Sequence, residues 1–116
     1  MGDIMISLHI ALLLIWIHFV ADFIFQSNYT AINKSKDNYV LLYHVILYGI
    51  LFIPFSIQYA FLNAALHFGV DYITSRVTSI LYRHDERHWF FITIGLDQVI
   101  HISTILITYQ LIFPNL

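Results

Sequence analysis

Residues 40–53 read VLLYHVILYGILFI, and a helix built from that run has no polar face to offer water. The stretch ALLLIWI at 11–17 has the same character. A chain of 116 residues makes one domain, and it buries only somewhat over half of the surface its unfolded form exposes. That is too little to hide a composition 59% hydrophobic and 10% charged, with mean hydropathy +0.76. Lipid can cover the remainder, and a soluble helical bundle is the rival that these runs disfavour. The expected fold is therefore all-α: an integral-membrane four-helix bundle with short links.

Four segments are apolar enough and, at about 20 residues each, long enough to cross ~30 Å of hydrocarbon. They are 4–25, 39–57, 59–82 and 89–113. Pro54 ends the second, and FSIQYA turns the chain into the third. Lys34 and Lys36 lie in the first link, and Arg76, Arg83 and Arg87 flank the last. With four spans those two links share a side, and the basic-residue bias places them in the cytoplasm and both termini outside. The N-terminus has no basic leader region, so the first run is expected to be a retained span.

Into these spans the sequence drops costly polar groups at a spacing of four, which puts them on one helix face. HFVADFIF begins at His18 and HFGVDYIT at His67, so the same His-Phe-x-x-Asp unit occurs twice. The first run carries His18, Asp22 and Gln26; the third carries Asn63, His67, Asp71 and Ser75; the fourth carries Thr93, Asp97 and His101, with Gln98 alongside. The second contributes His44. At ~1.5 Å per residue from the basic side, His18, His44, Asp71 and Asp97 fall roughly 10–16 Å deep, with His67 and His101 near ~22 Å. Each buried Asp costs ~2.5–3.5 kcal/mol on insertion scales, so a cation should accompany it. No Lys or Arg lies at that depth, Arg76 being the nearest candidate. Protonation, Arg76 reaching inward, or a divalent metal are the ways to supply the charge.

Neutral imidazole with carboxylate is a ligand set for zinc, iron or manganese. The chain has no cysteine, so thiolate sites and disulfides are excluded, and a net charge of −2 without a basic run gives no footprint for nucleic acid. The metal-ligand candidates are His18, Asp22, His44, His67, Asp71, Asp97 and His101, enough for one or two divalent ions, zinc foremost. Gln26, Asn63 and Gln98 would support them. A proton path or purely structural polar packing are the alternatives. His9 lies towards the outer side, and His84 and His88 fall in the charged RHDERH link, so none of the three belongs to the set. Gly49 and Gly69 are expected to let helices approach closely.

HxxxDFxxQ at His18, Asp22, Phe23 and Gln26, a Lys-rich link with Lys34, His44, HxxxD at His67 and Asp71, and DQxxH at Asp97, Gln98 and His101 together resemble a known family. It is the small four-helix integral-membrane domain of unknown function of bacteria and their phages, itself similar to predicted membrane-bound metal-dependent hydrolases. Arg76 lies further along than the lysine that pattern would place after the second HxxxD. The resemblance implies a multi-pass protein of the bacterial inner membrane. The function expected on this reading is hydrolysis of a lipid-linked or membrane-proximal ester or phosphoester, with Asp22 and Asp97 as the catalytic carboxylates. A homo-oligomer and the bilayer are the expected partners. The alternative is a proton- or metal-conducting bundle, or a small phage effector acting by oligomerisation.

Overall fold

The structure, a computed structural model, describes residues 5–115. Its elements are five α-helices and one π-helical turn, with no strand among the described residues. Helix α1, Leu8–Phe19, starts where the Ser7 side chain accepts a hydrogen bond from the Ile10 N–H. It runs on into a π-helical turn, Val20–Ile24. Such a turn inserts a residue into the helical register, and here it turns both Ala21 and Asp22 inward.

The next three helices are each started by a short polar side chain, which satisfies an orphan N–H group. Ser27 caps α2 (Asn28–Asn33), Asp37 caps α3 (Asn38–Ile50) and Ser56 caps α4 (Ile57–Arg83). Asp85 turns the chain at φ 60°, a left-handed conformation that Asp tolerates, and α5 follows over Arg87–Ile112. Helices α4 and α5 form a long hairpin; α3 packs on α4, and α1 packs on α5.

Two expectations need correction. The helices number five among the described residues and not four, because residues 28–33 of the first link coil into α2 and pack against α3. Of the four expected spans, only α5 is both long and apolar enough to cross a membrane by itself, among the described residues. Helix α3 ends at Ile50, and a turn through Pro54 replaces its last helical residues. Its 13 residues rise only ~20 Å. Residues Leu8–Ile24 are likewise a shorter apolar segment, and the beginning of the expected first span lies outside the described residues. Helix α4 has the length, but its polar stripe dilutes its hydropathy.

Only one of the two glycines expected to sit at a close approach does so. A Cβ on Gly49 would lie 3.0 Å from the Ala64 Cβ and 3.4 Å from the Ala60 carbonyl, so α3 and α4 meet there. Gly69 faces open space. The interior divides lengthwise. Towards one end Phe52, Tyr59, Ile105 and Tyr109 pack as an apolar core, with Phe55 and Phe113 against it. Beside it stand His18, Asp22, His44, His67, Asp71 and His101, all buried.

Candidate metal centre

Four elements converge on the polar half. The π turn supplies Asp22, α3 supplies His44, α4 supplies His67 and Asp71, and α5 supplies Asp97 and His101. The i, i+4 spacing points each same-helix pair at one place, as the sequence anticipates.

Asp22 Oδ1, His44 Nε2, His67 Nε2 and Asp71 Oδ2 form the tightest group. His44 Nε2 lies 3.0 Å from Asp22 Oδ1, 3.5 Å from Asp71 Oδ2 and 3.2 Å from His67 Nε2. His67 Nε2 lies 3.5 Å from Asp22 Oδ1 and 3.3 Å from Asp71 Oδ2. Ligands at ~2.0–2.1 Å from a tetrahedral ion stand ~3.3 Å apart, simply by the geometry of the tetrahedron. Since an imidazole Nε2 carries at most one hydrogen and an ionised carboxylate oxygen none, hydrogen bonds leave some of these close contacts, the His44–His67 one among them, unserved when both rings are protonated at Nε2. The group is able to hold a metal ion.

Asp22, Asp97 and His101 form a second such group. His101 Nε2 stands 2.8 Å from Asp71 Oδ1 and 3.1 Å from Asp97 Oδ1. Asp71 thus turns one oxygen to each group, and Asp22 belongs to both. The His67 and His101 rings stack at 3.8 Å, nearly parallel. Asp97 is the most accessible carboxylate, its side chain 13% exposed, and Thr74 donates to its Oδ1 over 2.6 Å.

The remaining expected residues take supporting positions. His18 is brought to the cluster, but its ring nitrogens face Tyr48 Oη at 2.8 Å and Gln98 Oε1 at 2.7 Å, and it lies outside both groups. Gln98 passes the contact on, its Nε2 donating to Asp22 Oδ2 and Asp97 Oδ2. A cluster ligand here is therefore oriented through partners one step out, as metal sites require. Gln26 lines a cleft beside the cluster. Asn63 points away from it, donating to Thr108 Oγ1 and the Tyr59 carbonyl. His9, His84 and His88 are exposed, apart from the set.

The sequence reading misplaced the nearest cation. Arg76 donates to Asn38 and the Tyr72 carbonyl, whereas the Lys34 Nζ stands 2.9 Å from Asp71 Oδ2. The folding of α2 brings Lys34 inward, which distance along a linear span could not reveal. Its signal lay in the lysine of the family pattern. Tyr48, whose ring sits 4.0 Å from that of His67, carried no signal at all.

A family model for a protein of unknown function matches residues 10–116, nearly the whole chain. The chain belongs to the DUF3307 family. Every residue of the cluster falls within the matched span. No curated protein and no solved structure matches the chain.

Proposed function

We propose that this is an integral-membrane metal protein whose cluster hydrolyses a lipid-linked or membrane-proximal ester or phosphoester. The observation that carries the metal is the near-tetrahedral spacing of Asp22, His44, His67 and Asp71. Zinc suits that donor set best, and iron or manganese are the alternatives.

The membrane placement is supported by the outer faces. Leu12, Leu13 and Trp16 on α1, Phe61 and Ile73 on α4, and Val99, Ile107 and Leu111 on α5 are exposed. Among the described residues, buried polar side chains are as numerous as buried apolar ones. A bundle polar within and apolar without suits lipid as its solvent. The bacterial inner membrane is the location the family resemblance implies, and the basic-residue bias favours Lys34, Lys36 and the arginines on its cytoplasmic side with both termini outside.

The two groups suit different tasks. Four protein donors close a coordination shell, as in structural sites, whereas three leave a position open, as in catalytic ones. Asp22, Asp97 and His101 would hold a divalent cation at the three-donor group, which would supply the Lewis acidity that lowers the pKa of water towards neutrality. Asp97, the most exposed of the cluster's carboxylates and a lining residue of the cleft, would accept the proton from the attacking water and return it to the leaving oxygen. Asp22 holds the two groups together, and Gln98 fixes its second oxygen. Among the described residues the interior beyond the cluster is mainly aromatic and aliphatic, with no ionisable Asp, Glu, Lys, Arg or His in its core, which weighs against a conducting path.

Elemental analysis of protein purified in detergent without chelator tests the reading. One to two divalent ions per chain are expected, unchanged in His9→Ala and His84→Ala. Folded protein without stoichiometric metal overturns it. A reporter fused after Leu116 should be periplasmic, and a cytoplasmic one would reverse the orientation.

A further inference from the structure

A cleft of about 700 Å³ opens onto Asp22, Asp71 and Asp97. We infer that it binds the phosphomonoester headgroup of a lipid, and that it does so only after the cluster has taken up a cation. The inference rests on the metal reading above and adds to it the class of ligand and the order of binding.

The charges on the cleft wall set the order. Lys34, Lys36 and Arg83 face the three carboxylates across it, so the lining is neutral as it stands. The carboxylate floor repels an anion, and Lys34 is occupied with Asp71. A divalent ion on the floor leaves the lining with a charge of +2 and gives Asp71 a new partner in place of Lys34. Among the described residues, Lys36 and Arg83 make no side-chain hydrogen bond or ion pair, and are free for a ligand.

A second observation is independent of charge. Ser75, one turn beyond Asp71 on α4, lines the cleft at 8% exposure with its hydroxyl unpartnered. A buried hydroxyl without a partner costs free energy that a ligand acceptor removes. Phosphate oxygens are such acceptors, and they favour the basic groups beside them. The lining also has an apolar part, with Phe23, Ile32, Phe90 and Ile94. A free phosphate has no use for that part, whereas the chain of a lipid does.

The test uses the metal-replete protein in detergent, titrated calorimetrically with dihexanoyl phosphatidate, dihexanoyl phosphatidylcholine and inorganic phosphate. Phosphatidate should bind at least ~10-fold more tightly than either of the others, since charge-assisted bonds and apolar contact act together. The double variant Lys36→Gln/Arg83→Gln should lose about tenfold in phosphatidate affinity while keeping its metal content. Chelation should weaken phosphatidate by a similar factor. Equal binding of phosphatidate and phosphatidylcholine, or an unaffected double variant, overturns the inference. Inorganic phosphate binding as tightly as phosphatidate removes the lipid from it, and chelator-insensitive binding removes the order. Metal content measured on the same samples separates these failures from failure of the metal reading.

Discussion

Around Tyr59 and around Asp71, the same two helices, α4 and α5, face each other through opposite chemistry. At Tyr59 the contact is aromatic, with Tyr59, Tyr109 and Phe55 rings edge to face at 5.7–6.0 Å. Most hydrogen bonds there are made between the helices themselves: the Tyr59 hydroxyl donates to the Ile105 carbonyl over 2.6 Å, and the Asn63 Nδ2 donates to Thr108, while the Asn63 Oδ1 is left without a partner. At Asp71 carboxylates and imidazoles crowd within hydrogen-bonding distance with too few protons to serve every contact. The first region is held mainly by apolar contact. The second gathers donors that could hold a metal ion, so it is where a ligand can bias the molecule.

If the two regions are independent, damage to one should leave the other's property intact. The largest effect is expected in the aromatic region. Phe52 is fully buried beside Tyr48 and Tyr59, and Phe52→Ala should cost ~3–5 kcal/mol of stability, as large-to-small core changes do. Denaturant melts should show it, while metal stoichiometry at saturating metal stays unchanged. Loss of the metal along with the stability would break the division.

Asp71→Asn is the counterpart. It keeps the shape, removes a charged donor of the four-residue group that also faces His101, and strands Lys34 without its partner. Metal affinity should fall at least ~100-fold, equivalent to about 2.7 kcal/mol of ligand stabilisation at matching concentration. Competition with a chromogenic chelator measures this. An unchanged affinity would reduce the cluster to packing.

Which parts of this division the sequence discloses depends on how local each part is. The stripes through His18–Asp22, His67–Asp71 and Asp97–His101 are legible because helical periodicity alone puts each pair on one face. His44 is legible as the single ionisable group of its run. The sharing of those residues between two groups, and the diversion of His18 to Tyr48 and Gln98, depend on how four elements dock and on the π turn at Val20–Ile24. Neither has a periodic signature. The inward reach of Lys34 fails for the same reason, since a polar link of 13 residues reads as a loop until its capping Ser27 and its packing on α3 are known.

His18 therefore sharpens the comparison more finely than Asp71. Because its nitrogens are engaged by Tyr48 and Gln98, His18→Ala should act through Gln98 and Asp22, lowering metal affinity about tenfold without changing stoichiometry. A drop in the number of ions bound per chain would instead make His18 a ligand in the loaded protein, with Tyr48 and Gln98 its partners only in the metal-free one.

The smallest expected effect lies back in the aromatic half. Tyr59→Phe keeps the ring and its edge-to-face contacts, but removes the hydroxyl that donates to the Ile105 carbonyl. That carbonyl already accepts within α5, so the loss should be near ~1 kcal/mol of stability. Tyr59 and Asp71 are twelve residues apart on one helix, about 18 Å at its rise per residue, and share no partner. Beyond ~10 Å, effects add to within a few tenths of a kcal/mol. The double variant Tyr59→Phe/Asp71→Asn should therefore show the stability loss of the first and the affinity loss of the second, with no interaction between them. A coupling above ~0.5 kcal/mol would mean that α4 and α5 transmit strain between the two regions, and that the aromatic half helps to set the spacing of the ligands.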